Sequence, residues 1–125
     1  MAKKQKMSDN QLLKVIIEGI KEKKGKNIVQ INLSKLENPI TDYFIICHGT
    51  STTHVEAIAD SVEKQIIEQF SMKVKHIEGK KNAQWILIDL YGVIVHVFLE
   101  DTRRYYNLEQ LWADGKFTHI KEEVN

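Results

Sequence analysis

Five histidines, one cysteine and a Gly-Thr-Ser turn hold most of the catalytic or metal-binding potential of this 125-residue chain. His48 and His54 stand six apart across a strand-to-helix turn, while His76, His96 and His119 are scattered. There is no H-E-x-x-H pair and no C-x-x-C, so no local spacing gathers ligands around one zinc ion. Cys47 sits inside the apolar run YFIICH and reads as a small hydrophobe rather than a nucleophile. Gly49-Thr50-Ser51 follows that run and precedes a helical pattern, a place where free amides favour a phosphate. Neither a Walker lysine nor G-x-G-x-x-G accompanies it, and no D-x-D pair follows to hold two metals for nucleotidyl transfer. Capping by Ser51 accounts for the turn without catalysis. A nucleotide-binding or nucleotidyl-transferring enzyme centred on Gly49, Thr50 and Ser51 is therefore the alternative reading.

The more informative residues lie in QWILIDL (84–90) and VIVHVFL (93–99). A two-residue turn at Tyr91-Gly92 would pair Asp89 with Ile94, Leu87 with His96, and Trp85 with Phe98. Ile86, Ile88, Leu90, Val93, Val95 and Val97 then form one aliphatic face. A one-residue slip would scatter the polar groups over both faces. In the segregated register Asp89 and His96 are diagonal neighbours beside Trp85, about 7–8 Å apart at Cα. Two readings follow: a buried histidine held by a carboxylate, or a polar and aromatic patch open to a partner. Trp and Tyr dominate binding hot spots, which makes Trp85 and Tyr91 natural anchors.

The surrounding elements must place that hairpin. Ser8 and Gln11 form a capping box ahead of Leu12, Leu13, Ile16, Ile17 and Ile20, one helical face. Residues 28–33 alternate as a strand, and 43–48 read as a central strand, apolar on both faces. Val55, Ile58, Ala59, Val62, Ile66 and Phe70 mark a helix running to about residue 70, with Ser51 and Thr53 as rival caps. Residues 73–77 alternate as an edge strand, and a final helical region runs from Glu100 to Trp112. The order predicts one α/β domain with a mixed sheet of about five strands covered by helices. It spans 8–118, between a Lys-rich tail (1–7) and a C-terminal tail (119–125).

Composition narrows the partners. The formal net charge of +1 argues against a protein held to nucleic acid mainly by global charge. The lysines cluster locally, at 21–26 and 80–81 for example, which would allow minor contact with RNA phosphates. One cysteine excludes an internal disulfide. No apolar run reaches the roughly 18 residues of a membrane span, and the N-terminus lacks the apolar stretch of a secretory signal. The cytoplasm is the expected compartment.

TDYFIICHGTSTTHVEAIAD (41–60) and QWILIDLYGVIVHVFLEDTRRYYNLEQLW (84–112) resemble two long motifs of the ribosomal silencing factor, or Iojap, family. With the helix and strand that precede them, the resemblance covers about residues 8–114. One departure stands out: the family usually carries an acidic residue three places after Asp89, where this chain has Gly92.

The resemblance implies a function without chemistry and without a cofactor. Such factors bind protein fourteen of the large ribosomal subunit, block joining of the small subunit and repress translation. Their fold looks like a nucleotidyltransferase without its metal-binding carboxylates. The candidate interface implied on this chain is Trp85, Asp89, Leu90, Tyr91, His96 and Phe98, with Arg103 and Tyr106 at its margin. Asp89 and His96 would orient each other or bond the partner; Arg103 would pair with a carboxylate or support the final helix. A homodimer using the Trp85 face is a further reading of the free protein.

Overall fold

The computed structural model describes residues 8–121. The tail expected at residues 1–7 lies outside this range, as do the last four residues. The first helix, α1 (Asp9–Glu22), starts as its capping box predicts. Ser8 Oγ accepts the Gln11 amide proton at 3.2 Å, and Gln11 Oε1 accepts that of Ser8 at 3.1 Å. Two amides that the first helical turn cannot satisfy are thereby bonded. Of the rival caps for α2 (Thr52–Phe70), Ser51 is the one used: its Oγ accepts from the His54 amide at 3.0 Å.

Six strands make one mixed sheet: β1 (Lys26–Asn32), β2 (Tyr43–Gly49), β3 (His76–Glu78), β4 (Trp85–Leu90), β5 (Val93–Leu99) and β6 (Lys116–His119). Their spatial order is β3-β4-β5-β2-β1-β6. The central pair, β2 and β5, is parallel, and every other neighbouring pair is antiparallel. The predicted edge strand at 73–77 is displaced to the three residues of β3. The sixth strand was not expected. Its sequence, KFTH, has one apolar side chain, Phe117, so it carries no readable alternation. Pairing to β1 creates it, and the Ile120 amide still donates to the Ile28 carbonyl at 2.9 Å, past the boundary expected at 118. The final helical region is also two helices, α3 (Glu100–Tyr106) and α4 (Leu108–Leu111), broken at Asn107 with φ 49°.

The sheet has two unlike faces. Helices α1 and α2 cover one, packing Ile16, Ile20, Ile58 and Ile66 onto Ile45, Ile86, Ile88, Val95 and Val97. Each such fully buried side chain contributes on the order of 2 kcal/mol. The helices approach closely at Gly19, where a Cβ would lie 3.1 Å from Val62 Cα. Ser61 Oγ donates to the Gly19 carbonyl there at 2.7 Å. The other face carries a second core of Val29, Ile31, Leu33, Phe44, Ile46 and Phe98, flanked by Leu36, Trp85, Leu108, Trp112 and Phe117.

Candidate partner-binding face

The β4–β5 hairpin has the segregated register: Trp85 opposes Phe98, Leu87 opposes His96, and Asp89 opposes Ile94. Ile86, Ile88, Leu90, Val93, Val95 and Val97 are all buried on the helix-covered side. Gly92 takes φ 87° while Tyr91 stays out of the left-handed region. The turn therefore needs one left-handed residue, not the two of a type I′ turn, and tyrosine fits its first position.

On the opposite side the hairpin builds an aromatic cluster. Trp85, half-buried, stacks on Phe98 with ring centroids 4.9 Å apart and planes 30° apart. Tyr106 from α3 lies against it at 4.9 Å and is 51% exposed. Tyr105 meets Tyr106 edge-on and is freely exposed. The indole Nε1 donates to His96 Nδ1 at 3.1 Å. Phe44 packs perpendicular to His96 at 4.5 Å and to Trp112 at 5.6 Å. Burial drives the His96 pKa down to about 4, so the ring is neutral at pH 7. Since Nδ1 accepts, the proton sits on Nε2, which has no partner among the described residues. A buried donor left unmet costs about 1–3 kcal/mol.

Half of the eight sequence-predicted residues are accessible, and half are not. Trp85, Asp89, Tyr91 and Tyr106 reach the surface. Leu90, His96 and Phe98 are 1%, 4% and 0% exposed, so in the free chain they support the face rather than present it. Leu90 in addition points to the helix side. Asp89 does not hold His96. It lines a groove beside the turn with Ile40, Asp42, Lys75 and Tyr91.

Arg103 is buried and, as expected, pairs with a carboxylate and supports the final helices. Its Nε and Nη2 donate to the two Glu109 carboxylate oxygens, each at 3.1 Å. Its Nη1 donates to His48 Nδ1 at 2.9 Å and to the Lys26 carbonyl at 3.4 Å. One side chain thus ties α3 to α4, β1 and β2. Burial, and then the Arg103 charge, push the His48 pKa below its usual value. Phe44, Trp112, Tyr105 and Glu109 were not singled out from sequence. Phe44 could have been, because the parallel β2–β5 register puts it on the His96 face, but that pairing has no local signal.

The rival phosphate site has bonded part of its donor set internally. The Thr50 amide donates to His54 Nδ1 at 3.0 Å, the His54 amide to Ser51 Oγ at 3.0 Å, and the Val55 amide to the Ser51 carbonyl at 2.9 Å. His54 Nε2 in turn donates to the Lys23 carbonyl at 2.7 Å, joining α2 to the end of α1. Cys47 is fully buried and its thiol is pushed up to about 12, the opposite of an activated nucleophile. Among the described residues no three His, Cys, Asp or Glu side chains converge as metal ligands, and no helix is long and apolar enough to cross a membrane.

Residues 6–125 match a family model described as ribosomal silencing factor during starvation. The chain belongs to the ribosomal silencing factor family. It is 44% identical to the ribosomal silencing factor RsfS of Halalkalibacterium halodurans over 95% of this chain and 100% of that one. Identity to the factor of the same name from Bacillus subtilis is 37%, over 95% and 99%. A crystal structure of a Chromobacterium violaceum protein superposes with a TM-score of 0.81 at 32% identity, covering 95% of each chain. These likenesses span the described fold, so the six-stranded mixed sheet is that of a ribosomal silencing factor.

Proposed function

We propose that this protein represses translation in the cytoplasm by binding the large ribosomal subunit through its protein fourteen and sterically blocking the small subunit. The observation that carries this reading is the half-buried Trp85, held between Phe98 and Tyr106 on the sheet face opposite α1 and α2. Tyr91 extends the same hairpin outward at 56% exposure. A rigid aromatic anchor with little conformational freedom left to lose is what a binding hot spot requires. Among the described residues no nucleophile–base pair lies beside it, and occlusion rather than turnover is the proposed mode of action. Contact with rRNA is a minor part of this reading. Self-association of the free protein through Trp85, Tyr105 and Tyr106 is a competing use of the face, which concentration-dependent sedimentation would reveal.

The test is sucrose-gradient sedimentation of purified ribosomal subunits with and without the protein. It should travel with the large subunit and deplete the joined ribosome. Trp85→Ala should weaken that binding by about 2 kcal/mol or more, roughly thirtyfold. Tyr91→Ala, at an exposed position, should weaken it without lowering the melting temperature. Unimpaired subunit joining in the presence of excess protein would refute the proposal.

A further inference from the structure

We infer that His96 is a positioning residue: it takes up the only side-chain proton donor of Trp85, so the recognition face presents aromatic carbon and no indole hydrogen bond. The inference rests on the binding role proposed for Trp85 and specifies the chemistry of what can sit there. The partner group is apolar, an aliphatic side chain or the carbon skeleton of a longer one. A carbonyl or carboxylate seeking the indole N–H finds it already bonded.

Three observations support this. First, an indole has one donor and no acceptor, and here that donor meets His96 Nδ1 at 3.1 Å. Second, the imidazole is packed on both sides, with Phe44 perpendicular at 4.5 Å and Phe98 nearly parallel at 6.1 Å. Third, histidine is a costly choice for packing alone. It buries Nε2 with no acceptor among the described residues, whereas an apolar side chain would bury no unmet donor. What the imidazole supplies in return is an acceptor at the one point where Trp85 needs one. The low pKa imposed by burial keeps that acceptor available at physiological pH. With the N–H fixed below and Phe98 and Tyr106 against the rings, swinging the indole outward would forfeit all three contacts.

Nitrogen-15 NMR on the intact protein reads the hydrogen bond directly. His96 should be the Nε2–H tautomer, and the Trp85 indole proton should exchange slowly and show coupling to His96 Nδ1. An Nδ1–H tautomer or a freely exchanging indole would overturn the inference. Binding to purified large subunits reads its consequence. His96→Leu should lose about five- to tenfold in affinity, the scale of one hydrogen bond. His96→Gln, whose amide oxygen can accept, should recover part of that loss and carries the test if the leucine variant does not fold. In a Trp85→Phe background, which has no N–H to hold, His96→Leu should cost nothing further. Equal losses in both backgrounds, or none in either, would overturn the positioning role. An unchanged Trp85→Ala would overturn the proposed binding face as well. A weakened Trp85→Ala beside an unchanged His96→Leu would overturn this inference alone.

Discussion

Replacing Arg103 with methionine would test whether α3 is held by one buried guanidinium. The substitution keeps an unbranched stem but strips four donated bonds, leaving the Glu109 carboxylate, His48 Nδ1 and the Lys26 carbonyl facing an apolar chain end. Breaking a buried ion pair by removing one partner costs about 3–5 kcal/mol. The Arg103 side chain is only 9% exposed, but that of Glu109 is 29% exposed and can regain water, so the expected loss lies near the lower end, about 3 kcal/mol. For a chain of this size that corresponds to a fall of roughly 10–15 °C in Tm. Circular dichroism melts, with urea titrations beside them, measure it. Glu109→Gln in the same series should be non-additive with Arg103→Met by about 1 kcal/mol or more. A Tm within about 3 °C of the parent would refute the clamp. Binding separates the clamp from a contact role. At a temperature where Arg103→Met remains fully folded, its affinity for the large subunit should stay within about threefold. A loss of about tenfold or more in the folded variant would place Arg103 on the contact surface after all.

Other outcomes follow from local geometry. Gly79 has φ 90°, and a Cβ there would lie 2.0 Å from the Trp85 carbonyl oxygen, so Gly79→Ala should destabilise by about 2 kcal/mol or more in urea unfolding. Its folded-state pKa near 4 keeps His96 neutral, whereas the unfolded chain takes up a proton near 6.5. Its contribution is thus complete above pH 6.5 and drains away toward pH 4, by roughly 3 kcal/mol, with His48 acting in the same direction. Urea midpoints that agree at pH 7 and pH 4.5 would contradict this. Cys47 should resist a thiol reagent in the native protein and react on unfolding; prompt native labelling would show that the core opens there.

What the sequence made legible was whatever one segment encodes by itself. The Ser8–Gln11 box and the β4–β5 register are local patterns, and both stand in the structure. Pairings between distant segments were not legible. Residues 116–119 bury too little to announce a strand, and Arg103 finds Glu109 only because Asn107 breaks the helix between them. The partner of His96 shows the limit most clearly. Trp85 and Asp89 are both its diagonal neighbours across the hairpin, so register alone could not choose. The structure chooses the indole, which lies against Tyr106 and bonds inward, while Asp89 lines a groove beside the turn.

The pairing of β6 with β1 also sets an order of events. Roughly 80 residues separate Asn32 from Lys116, so β1 is synthesised long before the strand that lies along it. Closing so long a loop adds only modestly to its entropic cost, but it slows the search. Until β6 arrives, β1 is the margin of a five-stranded sheet with unpaired amides and carbonyls, an invitation to strand addition by another chain. A nascent molecule could therefore have its aromatic face assembled and its opposite margin still adhesive. The arrival of those four residues moves the margin to a strand too short to template much pairing, so shortening the chain by a few residues at that point would penalise solubility before it penalised recognition.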